Sequence, residues 1–251
     1  MTREIATTAL CALLLGAAPA PKPLTPDRVH FDPQGLAAKV HGEARPAIPL
    51  PSEPEPGFGA EPANVRFRFG DKLSDYVTSA EPQLVVYPAP EFRALFVKAG
   101  QRKGNPIDVL RAQLKKGSAS AKEEIPILPV ADAVQVLKAR VKVLTFHGGK
   151  GFAFVTSYAQ DQVPVANDAL FYTFQGLTDD GRYWVAFYYP LTASVLPKTV
   201  QDSPEAKDYA AFEKRFDAYL KKTARSLEDP KTVYKPDLEK LDALVRSIEI
   251  R

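Results

Sequence analysis

Cysteine is nearly absent from this 251-residue chain: there is one, Cys11. If the segment carrying it is removed, no disulfide is possible, and stability must come from a hydrophobic core. Histidine is scarce too. Of three, His30 and His41 fall in a proline-rich segment, which leaves His147 as the one imidazole of the expected folded part. Multi-histidine metal centres have no material to use, and no metal or cofactor is expected. An excess of one charge is also missing. With 33 basic and 30 acidic residues the net charge is +3, too weak to point to nucleic acid. Long apolar runs are missing as well. The run over 5–18 falls short of the roughly 20 residues a bilayer-spanning helix needs, so no transmembrane span is expected.

That short run follows Arg3 and ends in small residues, the pattern of a secretory signal peptide over 1–20. The expected destination is outside the cytoplasm, secreted or periplasmic. Ala18, Pro19 and Ala20 have the small-x-small form. Pro21 follows at once, which leaves cleavage after Ala17 as an alternative. Cys11 invites a lipoprotein reading, but Leu10 stands where a small residue is needed, so lipidation is not expected.

Proline is abundant where the core is not. Between 19 and 62 there are 11 prolines, each fixing φ and removing a backbone donor. Residues 21–62 are therefore expected to form an extended tether or a strap on the domain surface.

The remainder, 63–251, is expected to form one α+β domain, an antiparallel sheet with helices packed on it. Val65, Phe67 and Phe69 alternate with Arg66 and Arg68, the period of a half-buried strand. Further strands are expected over 83–87, 141–146, 152–158, 169–174 and 182–189. Thr178, Asp179, Asp180 and Gly181 between the last two signal a hairpin. The 182–189 run is apolar on both faces, so helices should cover both sides of the sheet. Helices are expected over 91–97, 107–116 and 131–140, then as one long element from Pro204 to Asp229. A last one starts at Pro236 and Asp237, and 248–250 is expected to close as an edge strand.

Few residues offer chemistry. Gly148, Gly149, Lys150 and Gly151 lack the spacing and the following helix of a P-loop, so they read as a hairpin turn. Asp179 and Asp180 read as turn residues rather than as an acid–base pair. His147 would need Ser157, Ser194 or Ser203 as a nucleophile, and none lies in a nucleophile elbow. The clearest asymmetry is basic: Arg93, Lys98, Arg102, Lys103, Arg111, Lys115, Lys116 and Lys122 surround a single acid, Asp108. Arg102, Lys103, Arg111, Lys115 and Lys116 are accordingly the candidate ligand-binding residues for an anionic partner.

The run from Leu170 to Thr178 (LFYTFQGLT), continuing as Asp179, Asp180, Gly181, Arg182, Tyr183 and Trp184, resembles an uncharacterised family of exported bacterial proteins. The segment 83–92 (QLVVYPAPEF) is similar to that family's upstream strand and helix, and the likeness covers most of 63–251. The resemblance implies no activity and no site residues. Many members look lipid-anchored, a feature the Leu10–Cys11 context does not share. The element order is also similar to the PsbP-like α-β-α sandwich, an analogy of fold alone. The resulting expectation is an exported, non-enzymatic binding or accessory domain acting on an anionic envelope surface or polymer. A hydrolase of envelope or extracellular material, built around His147, is the alternative.

Overall fold

The computed structural model describes residues 23–52, 58–70, 81–100, 103–119, 123–130 and 133–251. The signal-peptide reading, with Cys11, falls outside these residues, as do Arg102 and Lys122.

Strand formation follows the alternating pattern. Seven strands make one sheet: β2 (Val40–Arg45), β3 (Asn64–Phe69), β4 (Gln83–Pro88), β5 (Val134–Phe146), β6 (Gly149–Ala159), β7 (Phe171–Thr178) and β8 (Tyr183–Pro190). Their order is β2-β3-β4-β8-β7-β6-β5, with every neighbouring pair antiparallel. The chain thus builds one meander up to β4 and crosses one face through α1 (Ala89–Lys98) and α2 (Pro106–Lys116). It re-enters at the far edge and winds back until β8 pairs with β4.

Side-chain alternation in β8 sets the layers. Val185 and Phe187 join a core cluster with Leu227, Leu241, Leu244 and Val245, while Trp184, Ala186 and Tyr188 join a second with Phe92, Phe96, Ile107 and Leu110. One face is therefore covered by α1 and α2, the other by α4 (Phe216–Glu228) and α5 (Leu238–Arg246). This α-β-α sandwich agrees with the expected fold class and with the double coverage inferred from 182–189.

Part of the segment read as a tether is built into the domain. Val40–Arg45 is the β2 edge of the sheet, and β1 (Val29–His30) pairs with β11 (Glu249–Ile250). Phe31 meets Phe67 edge-on at 5.0 Å, and Phe58 stacks on Phe96 at 4.0 Å. The prolines flank these strands instead of interrupting them: Pro26, Pro33 and Pro46 all lie outside the paired positions. Proline excludes pairing only where its own position needs the N–H, and here those positions are linkers. The 248–250 strand consequently pairs with the amino-terminal segment, and a single parallel bridge between His147 and Glu249 joins it to the end of β5.

Two expected helices differ. The 131–140 helix, whose first two residues lie outside the description, is the first half of β5, with Leu137 and Ala139 turned to the core. Apolar residues spaced as in 133–137 fit either period, and the long partner β6 decides for strand. The boundary expected near 140 is a bulge, with Arg140 at φ 57°. From there Arg140 donates through Nε to Leu227 O (2.9 Å) and through Nη2 to Asp229 O (2.7 Å), closing the carboxyl end of α4. The long helix over 204–229 is broken as well. Asp208 accepts from Ala211 N at 3.0 Å and caps a separate α3 (Tyr209–Glu213), and a second interruption at Lys214 and Arg215 precedes α4.

Candidate functional site: a cationic cleft beside α2

Helix α2 is well delimited. Asn105 accepts from Ile107 N at 3.1 Å, Pro106 opens the helix, and Gly117 at φ 73° donates its N–H to Gln113 O and Leu114 O. Ile107, Leu110 and Leu114 face the core, which turns Arg111 and Lys115 outward four residues apart. Lys115 and Lys116 in the last turn also complement the helix dipole, and that alone accounts for some of the basic character here.

Packing neutralises much of the basic interval. Arg93 Nε donates to both oxygens of Asp108 at 3.0 Å, and Arg111 Nη1 reaches Asp108 Oδ1 at 3.2 Å. Lys116 lies 3.6 Å from Glu123. Lys103 is exposed in the turn before α2, about 15 Å or more from Lys115 at the helical rise of ~1.5 Å per residue. The five candidates therefore do not form one patch. Arg111 and Lys115 come together, Lys116 is paired away, Lys103 stands at the other end, and Arg102 lies outside the described residues.

The pair that does converge meets a third cation that the sequence reading assigned only to a turn. The β5–β6 and β7–β8 turns lie side by side, joined by the Asp179 N–H to Gly148 O at 2.8 Å. Lys150, opposite Thr145 on one side and Leu177 on the other, projects on the α2 face because it keeps the strand period of Phe152 and Phe154. Gly149 beside it is required by packing: a Cβ there would lie 2.2 Å from Phe146 Cζ. Arg111, Lys115 and Lys150 rim a cleft of about 340 Å³ floored by Leu114 and Leu177. The Thr178–Gly181 turn forms its far wall. The Arg111 guanidinium overhangs that turn; a Cβ on Gly181 would sit 3.7 Å from Nη2.

The acids of the turn divide their work. Burial pushes the Asp180 carboxyl up. The Arg182 N–H, the Thr178 hydroxyl and the Arg182 guanidinium outweigh it, and the net shift is downward. Asp180 is thus consumed in holding the turn, with Thr178 Oγ1 donating at 2.7 Å and Arg182 N at 2.9 Å. Asp179 stays on the cleft wall as a hydrogen-bond acceptor. Two ammonium groups and a guanidinium over an apolar floor, with one carboxylate opposite, suit an anionic group attached to an apolar or sugar body.

Among the described residues, His147 and the three candidate serines are not brought together. His147 is exposed and engaged through its backbone N–H to Ile248 O (3.0 Å), with no side-chain hydrogen bond to a hydroxyl among the described residues. Ser157 is buried eight residues along β6 from Gly149, roughly 25 Å away. The Ser194 hydroxyl accepts from Val233 N, and Ser203 donates to Glu205. Among the described residues no group of three or more histidines, cysteines or acids could hold a metal ion. No helix among them is long and apolar enough to cross a membrane. No family model, curated protein or solved structure matches the chain.

Proposed function

We propose that this is an exported, non-enzymatic binding domain that engages anionic groups of an envelope surface or polymer through the Arg111–Lys115–Lys150 cleft. The observation that carries the reading is the convergence of three cations from two separated elements, α2 and the start of β6, on one apolar-floored hollow. Ion pairs and dipole complementarity account for Arg93 and Lys116; they do not account for Lys150, which comes from the start of β6.

The test is co-sedimentation with anionic and neutral vesicles, and with an anionic wall polymer, at low and high salt. Wild type should bind the anionic forms and release them as salt rises. The triple change Arg111→Gln, Lys115→Gln and Lys150→Gln should weaken binding roughly 100-fold, at about 1 kcal/mol per cation near an anionic surface. Unfolding free energy should move by no more than about 0.5 kcal/mol per site, as for other surface positions. If wild type binds no anionic surface at low salt, the reading is wrong.

A further inference from the structure

The other helix layer carries a second cationic hollow, and its surroundings are different. On α4 the inward residues are Thr223 and Leu227, with Leu220 and Ala224 half-buried beside them. Outward, Ala218, Lys221, Lys222 and Arg225 follow one another at helical spacing along a single strip. They bound a shallow concavity of about 490 Å³. No carboxylate lies within 4.0 Å of Lys221, Lys222 or Arg225 among the described residues, whereas Arg111 of α2 shares Asp108. The one acid on the rim, Asp229, accepts from Lys231 N at 2.8 Å.

Lys222 and Ser226 also border an adjoining hollow of about 190 Å³, between α4 and the loop that carries Ser203. Here apolar residues such as Leu196 and Pro197 line the hollow together with polar ones, and two of the polar ones are buried. Ser203 is 2% exposed and Thr223 7%. Ser203 Oγ donates to Glu205 Oε2 at 2.7 Å, and that bond is the main reason the Glu205 carboxyl is held below its ordinary value, against the opposing effect of burial. An ionised carboxylate and a threonine hydroxyl therefore sit next to an unpaired cationic strip. A bare anion such as inorganic phosphate gains nothing from the Glu205 carboxylate beside these cations, since like charges repel. A molecule with hydroxyl groups beside its anion does gain, because the carboxylate accepts from them.

We propose that these two adjoining hollows are one site for a phosphorylated polyol, with the phosphate on Lys221, Lys222 and Arg225 and the hydroxyls read by Glu205 and Thr223. The site lies across the sheet from the α2 cleft. Two helix–sheet layer spacings separate them, roughly 20 Å, more than twice the ~8 Å over which charges are felt at physiological ionic strength. It therefore stands independently of the reading given above. The same chemistry occurs in free sugar or glycerol phosphates and in the repeating units of a phosphate-linked polyol polymer.

Calorimetric titration of the full chain distinguishes the cases. Glycerol 3-phosphate and glucose 6-phosphate should bind at least about 10-fold more tightly than inorganic phosphate, and neutral glycerol and glucose should not bind. The combined change Lys221→Gln, Lys222→Gln and Arg225→Gln should weaken the phosphates roughly 10-fold or more, as expected for losing charge-assisted hydrogen bonds. Glu205→Gln should erase the preference for the polyol phosphates over inorganic phosphate. With Lys115→Gln and Lys150→Gln introduced to remove the α2 cleft as a second anion site, the binding that remains should keep the preference for the polyol phosphates over inorganic phosphate. Tighter binding per unit to poly(glycerol phosphate) than to glycerol 3-phosphate supports the site and names the polymer as source; equal binding supports it and names the free phosphate. Equal affinity for inorganic phosphate and polyol phosphates, or undiminished binding by a folded triple variant, would overturn the proposal.

Discussion

On the side covered by α1 and α2, sheet and cover are joined by a neutral polar tie. Gln175 accepts from Trp184 Nε1 (2.8 Å) and from Leu128 N (3.2 Å) and donates to Thr173 Oγ1 (2.8 Å), while Tyr188 donates to Leu128 O at 2.7 Å. On the side covered by α4 and α5 the tie is ionic. Asp242, with no solvent exposure, accepts from Tyr172 OH at 2.9 Å and pairs with Lys142, with Arg246 at 3.8 Å. The surroundings differ accordingly. Helix α1 brings the aromatic rings of Phe92 and Phe96 to the first core, whereas α4 and α5 bring the aliphatic side chains of Leu227, Leu241, Leu244 and Val245 to the second. A neutral network needs only geometry, and each member is satisfied without a counter-ion. A buried carboxylate must keep its partners, because removing one leaves an uncompensated charge. The first tie fastens the loop before β5 to the sheet, and the second fastens α5.

Breaking each tie separately measures the contrast. Trp184→Ala removes a wholly buried ring and leaves Gln175 short of a donor; it should cost about 3–5 kcal/mol in urea unfolding at any pH between 5 and 9. Asp242→Ala should cost less, about 3 kcal/mol, because Lys142 is 36% exposed and can turn to water. Asp242→Asn keeps an acceptor for Tyr172 and should recover about half of that loss. If the two alanine variants reverse in rank, the ionic tie carries more of the stability than its geometry implies.

How much of this is visible in the sequence depends on how local each signal is. The alternation of Val65, Phe67 and Phe69, the Asp180–Gly181 hairpin and the helix start at Pro236 and Asp237 act over a few residues, and the elements they mark stand where expected. The two-sided burial of β8 is also readable, since one strand's composition carries it. Non-local decisions are not readable. Leu137 and Ala139 become strand because β6 is there to pair with them. Residues 29–30 and 40–45 become strand because β11 and β3 offer edges beside their prolines. The candidate site divides the same way. Arg111 and Lys115 are legible as an outward pair on one helix. Lys150 joins them only through the order of the sheet, and Asp108 neutralises Arg93 only because two helices meet. The α4 strip escaped for a simpler reason: read as one unbroken helix, 204–229 hides which of its residues share a face with Ser203.

The smallest expected effect separates the two layers by pH. Burial pushes the phenols of Tyr172 and Tyr188 well above their ordinary value of 10.0, and Tyr87 is raised in the same way. A phenol with a raised folded pKa stays protonated in the folded state while the unfolded state ionises, so the unfolded state binds fewer protons. Stability is therefore complete below pH 10 and falls above it, by about 1.4 kcal/mol per pH unit for each such tyrosine. Unfolding free energy should decline steeply above pH 10, with tyrosinate absorbance appearing together with unfolding and not before it. Tyr172→Phe removes one contributor from the α5 side and should reduce the slope by one tyrosine's share. Because Asp242 then loses its phenol donor, the same variant should be less stable than wild type at pH 7 by about 1 kcal/mol. Tyr188→Phe should reduce the slope equally, while freeing only the Leu128 carbonyl on the neutral side. An unchanged slope in Tyr172→Phe would mean that this phenol ionises in the folded protein, and that the α5 layer opens to solvent at a pH where the α2 layer stays closed.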